Sequence, residues 1–165
     1  MSTIELADSG TLRPSRHSNV KTPYLVEKEI DFAVATTAKG SALAANDIIE
    51  AIRVPANTLV LWAGMQVKEE MTGTSTDLAL DLGVTSNDPD RFVDGFDYDG
   101  ASVGDWATVA AAATTPALLI GETADTIDIL IQAQTNTFTG GTIRVVAQMV
   151  DVSDAVSNGI AALGS

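Results

Sequence analysis

Two alternating runs near the carboxyl end constrain the fold of this chain more than any other feature. In DTIDILIQ, which ends at Gln132, the isoleucines at 127, 129 and 131 fall on one side. In TIRVVAQMVDV, apolar residues at every second position alternate with a row that includes Arg144 and Gln148. Successive side chains of a strand point to opposite faces, so a period of two predicts strands with one buried face. We therefore expect an antiparallel β-domain whose last two strands form a hairpin through the turn-rich segment Ala133–Gly141.

Further strand signals begin at Tyr24. The alternation of Ile30, Phe32 and Val34 predicts that this first strand continues beyond Asp31. Other strands are predicted at 47–54, 59–70, 76–84 and 117–120. The short segment Thr72–Ser75 predicts a second hairpin between two of them. About seven or eight strands, without the ~10–15-residue amphipathic helices of a parallel sheet, indicate an all-β sandwich or barrel.

The chain divides into three regions by composition. Residues 1–23 are polar, contain two prolines and show no periodicity, which predicts an extended amino-terminal arm. Residues 24–152 form the β-domain, and 153–165 are a tail of small residues. The arm carries a basic cluster that includes Arg13, Arg16 and Lys21. This cluster is either a solvated tail or an arm that contacts a neighbouring subunit.

Charge and composition exclude several classes of protein. The 165 residues are 45% hydrophobic and include no cysteine, so a packed core is expected, whereas disulfides and thiolate metal sites are excluded. No apolar run approaches the ~20 residues of a membrane helix, and the amino terminus lacks a secretory pattern. The net charge is −13, and residues 1–39 contribute nothing to it. An acidic body repels phosphates, so we expect no direct contact with nucleic acid.

Residues 86–116 are the longest interruption of the strand pattern, and Trp106–Ala113 within them favours a brief helix. Five aspartates crowd the start of this region, and oxygen-rich flexible loops are what Ca²⁺ prefers. The candidate calcium ligands are Asp88, Asp90, Asp94, Asp97 and Asp99. Their spacing does not match a helix–loop–helix calcium site, and aspartate is also an ordinary turn residue. A solvated loop without a cofactor is therefore the alternative.

Catalysis has little support in the sequence. The one histidine, His17, lies in the predicted arm, and nucleophile-elbow, phosphate-loop and dinucleotide-binding motifs are missing. Trp62 and Trp106 are candidates for stacking on sugars, as in a carbohydrate-binding module, although either could pack under a loop or in a subunit contact. We expect a protein that binds or builds rather than an enzyme.

Three apolar residues occupy the faces of the last two strands that are otherwise polar. These residues are Leu130, Val146 and Val150. A sandwich that stands alone normally keeps its outer face polar, so apolar residues there indicate a covering layer or an oligomer contact.

The chain resembles small virion proteins that decorate or cement the heads of tailed phages. The resemblance covers roughly residues 25–151 and follows the extended arm. It rests on the ordered segments DIIEAIRVPANTLVLWAGMQV, TDLALDLGVTSNDPDRFVDGFD and the closing pair DTIDILIQ and GGTIRVVAQMVDV.

This resemblance implies a jelly-roll-like sandwich, often a homotrimer, seated on the exterior of the head where subunits of the major capsid protein meet. Its mechanism would be adhesive, with the arm and loops bridging adjacent capsid subunits and with strand pairing at exposed edges. The alternative is a carbohydrate- or receptor-binding sandwich on a virion appendage.

Overall fold

Ten strands and one helix make up the protein in a computed structural model that describes residues 3–5, 22–84, 88–108 and 117–153. The strands are β1 (Thr3–Glu5), β2 (Tyr24–Asp31), β3 (Ile48–Val54), β4 (Thr58–Gly73), β5 (Ala79–Val84), β6 (Asp88–Asp97), β7 (Trp106–Ala107), β8 (Leu118–Ile120), β9 (Asp125–Ala133) and β10 (Phe138–Asp151). The helix α1 (Phe32–Lys39) follows β2 directly. The prediction of an all-β protein is confirmed.

The strands form two sheets in the order of a jelly roll. Sheet A has the order β1-β3-β9-β5-β6, and sheet B has the order β2-β10-β4-β7, with β8 also paired to β4. Without the short strands β1 and β8, eight strands remain, and the chain passes between the sheets at every connection except that from β5 to β6. This exchange of strands between two four-stranded sheets is the jelly-roll arrangement, which viral capsid domains use. The expected jelly-roll sandwich is therefore confirmed.

Both hairpins predicted from the sequence are wrong. β9 pairs with β3 and β5 in sheet A, whereas β10 lies between β2 and β4 in sheet B. The segment after β4 likewise carries the chain from sheet B to sheet A rather than back along β4. Alternation reveals that a strand has one buried face, but it does not reveal which strand lies beside it. Among the described strands, β5 and β6 are consecutive in the chain and pair with each other in antiparallel orientation.

The core lies between the inner faces of the two sheets, as the alternation predicts. Ile127, Ile129 and Ile131 of β9 face Ile143, Val145, Ala147 and Met149 of β10, and all are fully buried. At one end three rings pack together, with Phe138 4.8 Å and Tyr98 5.5 Å from the centroid of Phe32. The Tyr98 hydroxyl donates a 2.7 Å hydrogen bond to the Glu69 carbonyl oxygen, so its polar end is satisfied there.

The strand predicted through Val34 ends at Asp31, where α1 begins. The Asp31 carboxylate accepts hydrogen bonds from the backbone N–H groups of Ala33 (2.8 Å) and Val34 (3.3 Å), as a helix N-cap does. The helix buries Phe32 and Ala35 and ends at Gly40, which has a φ of 76°. Residues two apart do not share a helix face, and accordingly Phe32 is buried whereas Val34 is 53% exposed. The alternation therefore does not continue beyond Ile30, and the cap at Asp31 favours the helix.

The acid-rich segment is the ten-residue strand β6 rather than a loop. Trp106 and Ala107 pair with β4 instead of starting a helix, whereas 109–116 lie outside the described residues. Thr3–Glu5 of the predicted arm pairs parallel with β3, and Ile4 is buried. Residues 6–21, with Arg13, Arg16 and Lys21, and residues 154–165 also lie outside the described part. Within that part, no helix is long and apolar enough to cross a membrane.

Candidate interaction surface

The outer face of sheet B is built by the side chains of five strands that point away from the core. Directly opposed residues of neighbouring strands share a face, so the pairing register identifies them. β10 contributes Arg144, Val146, Gln148 and Val150; β2 contributes Leu25, Glu27 and Glu29; β4 contributes Leu59, Trp62, Gly64 and Gln66; β7 and β8 add Trp106 and Leu119. We call this set the sheet B outer face.

The three residues predicted as oligomer contacts do not form one surface. Leu130 belongs to β9 in sheet A and is half-buried, whereas Val146 and Val150 belong to β10 in sheet B. Val146 is only 8% exposed and Val150 only 9% exposed in the single chain. The two valines do lie on the outer face, but they offer little area to a partner.

Two polar rows cross the sheet on either side of Val146. In the first, Arg144 Nη1 lies 3.6 Å from Glu27 Oε2, and Arg144 Nη2 donates to the side-chain oxygen of Gln66. The Arg144 guanidinium also lies 5.8 Å from the ring centroid of Trp106, within the range of a cation–π contact. In the second row, Trp62 Nε1 donates a 3.1 Å hydrogen bond to Gln148 Oε1. These long side chains cover apolar area around Val146, which the sequence pattern alone predicts to be exposed.

Three other residues supply the exposed apolar area of this face. Leu25 is 65% exposed, Leu119 is 58% exposed and Trp106 is 47% exposed. They stand on β2, β8 and β7, on both sides of the central strand β10. The sequence analysis identified Trp106 as a candidate because it is aromatic, but it missed Leu25 and Leu119. Leu25 lies in an edge strand and Leu119 in a short strand, and the sequence pattern does not show which side of these strands faces outward. The exposed apolar area of this face is therefore dispersed over three strands rather than joined in one patch.

The five candidate calcium ligands are dispersed over β6 and the turn that follows it. Asp88 pairs with Arg91 (3.3 Å), Asp94 accepts from Gln132 Nε2 (3.5 Å), and Asp97 accepts from the Gly100 N–H (3.0 Å). Asp99 accepts a hydrogen bond from the backbone N–H of Leu78. Within 3–5, 22–84, 88–108 and 117–153, no three acidic, histidine or cysteine side chains converge to hold a metal ion. The calcium site stays a prediction, and the described residues provide no ligand group for it.

Two of these aspartates, Asp90 and Asp94, lie near the buried Asp81 on the outer side of sheet A. Asp81 is buried and accepts a 2.7 Å hydrogen bond from the Gly95 N–H. Burial raises the pKa of Asp81, and the nearby charges of Asp94 and Asp90 raise it further. A hydrogen bond with Asp88 is the main cause that raises the pKa of Asp90. Asp81 and Asp90 therefore bind a proton more readily than a fully exposed aspartate does.

The fold is shared with chains in solved structures of phage capsids. One structure, of the capsid of Ralstonia phage GP4, contains a chain that superposes with a TM-score of 0.59 at 19% identity, over 89% of this chain and 97% of that one. A chain of the cyanophage Pam1 capsid asymmetric unit superposes with a TM-score of 0.54 at 15% identity, over 86% and 94%. No protein-family model and no curated protein matches the sequence. The structural likeness shows a common jelly-roll fold.

Proposed function

We propose that this chain is a structural protein of a phage virion, which decorates or cements the exterior of the head by bridging adjacent subunits of the major capsid protein. The observation that carries the proposal is the jelly roll shared along nearly the whole length of two chains from phage capsid structures. A match over 97% and 94% of those chains means that the whole domain, not one motif, is alike.

The surface chemistry of the described residues supports an adhesive role. The sheet B outer face combines exposed apolar side chains with hydrogen-bonded polar rows, and such a mixture of polar and apolar area is compatible with an interface between proteins that also exist separately. The aspartates and glutamates of the whole chain give it a net charge of −13, which favours a partner with basic patches and disfavours nucleic acid. A homotrimer on the head, with no membrane contact, is part of the proposal.

Binding to heads tests this function directly. Heads of the phage that carries the gene, prepared without this chain, should bind the purified protein in co-sedimentation, and electron microscopy should show added density outside the shell. Light scattering measures the mass of the free protein, for which we expect a trimer. A protein that stays in the supernatant over a wide range of salt concentration would contradict the proposal.

A second candidate, a carbohydrate- or receptor-binding module on a virion appendage, is favoured by one observation. Trp106 exposes about half of its indole beside the Arg144 guanidinium, and sugars stack on such rings. A glycan array on the intact protein, repeated with Trp106→Ala, separates the two candidates. Glycan binding that Trp106→Ala abolishes would favour the module, whereas an array without signal together with head binding would favour the capsid role.

A further inference from the structure

The edge of sheet B formed by β2 is long and regular. All eight residues of β2, Tyr24–Asp31, pair with β10 without a register shift. Among the strands of the described residues, none pairs with the other side of β2. A regular edge strand presents backbone N–H and C=O groups that can form hydrogen bonds with an added strand.

The outward side chains of β2 alternate with those that face the sandwich interior. Leu25, Glu27 and Glu29 point outward and are exposed, and the Glu27 side chain stays 65% exposed although Arg144 lies 3.6 Å away. A strand added beside β2 would place its own outward side chains directly opposite these three residues. The edge therefore presents one apolar and two acidic positions to an incoming segment.

A second copy of this chain is a poor occupant for the edge. Consider two β2 strands that pair over nearly their whole length around a two-fold axis. Because directly opposed residues must share a face, the axis would pass at Glu27 or at Lys28, and that residue would lie opposite its own copy. Either centre places two identical charges directly opposite each other, which is destabilising. Charged residues at such positions are a common means by which proteins prevent pairing of identical edges.

We propose that the open edge of β2 binds an extended segment of the capsid-shell protein that carries lysine or arginine opposite Glu27 and Glu29 and an apolar side chain opposite Leu25. This inference rests on the proposed function and names the contact through which the chain would attach. Backbone hydrogen bonds would provide affinity, and the two charge pairs would select the partner and its register. Charge complementarity supports the choice, since two of the three outward side chains of β2 are carboxylates.

Hydrogen exchange on head-bound protein, combined with charge reversal, tests the contact. The backbone amides of β2 should exchange more slowly in the full-length chain bound to heads than in the free chain. The double variant Glu27→Lys/Glu29→Lys should bind heads at least about tenfold more weakly, because each charge pair becomes a repulsion. The matched control is Glu70→Lys/Glu122→Lys, which changes the net charge equally at two exposed positions outside β2. The control should lose much less affinity.

The possible outcomes separate this inference from the proposed function. Head binding with unchanged exchange in β2, or an equal loss of affinity in both double variants, would overturn the edge contact and leave the capsid role intact. Protection of β2 that appears with protein concentration in the absence of heads would identify a second copy as the occupant and also overturn the inference. A complete lack of head binding by the wild-type chain would refute both proposals.

Discussion

The indole N–H of Trp62 and the side-chain oxygen of Gln148 form a 3.1 Å hydrogen bond across β4 and β10. Both side chains are half-buried, and they lie directly opposite each other on the sheet B outer face. The bond holds the Trp62 side chain against its neighbour on β10, whereas Trp106 on β7 stays 47% exposed. Trp62 therefore contributes to the packing of this face, whereas Trp106 is exposed enough to contact a partner.

Replacing Trp62 with phenylalanine should destabilise the protein by about 1 kcal/mol. The substitution retains most of the apolar contact but leaves the Gln148 amide oxygen without its donor, and a lost hydrogen bond of this kind typically costs this amount. Urea unfolding followed by circular dichroism measures the change. The matched control is Trp106→Phe, which should change the free energy of unfolding much less, because that ring is 47% exposed. Equal effects of the two variants would contradict this account of Trp62.

Loss of the helix cap at Asp31 should cost about 1 kcal/mol of stability. In Asp31→Ala, the backbone N–H groups of Ala33 and Val34 lose the carboxylate that accepts their hydrogen bonds. Thermal unfolding measures the effect, and Asp77→Ala is the control, since it removes the same charge from an exposed position. If both variants melt at the same temperature, the cap does not contribute to stability.

A methyl group at Gly141 should displace the Tyr98 hydroxyl. Gly141 has a φ of 119°, and a Cβ there would overlap that hydroxyl and lie 2.8 Å from the Glu70 carbonyl oxygen. Gly141→Ala should therefore cost the strain of a positive φ, about 1 to 3 kcal/mol. A further loss of about 1 to 3 kcal/mol should follow, because the buried hydroxyl loses its bond to Glu69.

Gly104→Ala isolates the strain in that comparison. Gly104 also has a positive φ, 98°, but no described atom lies within 4 Å of a Cβ built there. Chemical denaturation of both variants should show the larger loss for Gly141→Ala, and the difference measures the contribution of Tyr98. Similar losses would indicate that the ring moves aside without cost.

The stability of the protein should depend on pH through Asp81. Its pKa is raised in the folded state above the ordinary value of 3.8, so the folded protein binds this proton more readily than the unfolded chain. The contribution of Asp81 to stability is therefore most favourable below pH 3.8 and is lost as the pH rises through the folded-state pKa. At neutral pH, the buried carboxylate destabilises the fold.

Asp81→Asn removes this charge and retains an oxygen that accepts from the Gly95 N–H. We expect the variant to melt at a higher temperature than the wild type at pH 7 and the difference to shrink as the pH falls towards 3.8. Melting temperatures measured across that range by calorimetry test the sign, with Asp77→Asn as the exposed control. A difference that stays constant with pH would show that Asp81 does not titrate differently in the folded state.

Sequence reasoning recovered the local features of this fold and missed its long-range ones. The buried isoleucines of β9 and the buried row of β10 follow directly from alternation, because burial of one face requires that pattern. The partners of a strand depend on which sheet the chain enters next, and a turn between sheets has the same composition as a hairpin turn. For this reason the predicted pairing of β9 with β10 failed.

The candidate surface was predictable only in part, for a related reason. Alternation placed Val146 and Val150 on an outer face correctly, but it could not show that they would be largely covered. Arg144, in one of the two polar rows beside Val146, donates a hydrogen bond to Gln66 and forms an ion pair with Glu27. These partners lie on two other strands and far away in sequence, so no local pattern predicts them. Exposure thus depends on the tertiary arrangement, whereas the facing direction depends on the local sequence.

The position of β10 has a consequence for synthesis of the protein. Among the described strands, β10 is synthesised last and lies between β2 and β4, so these two strands cannot join in one sheet until β10 is available. Until then both neighbouring strands expose edges, and contacts distant in sequence dominate the native pairing, which slows folding. We expect native sheet B to form only after β10 has left the ribosome, and we expect nascent chains that end before β10 to aggregate or to require a chaperone.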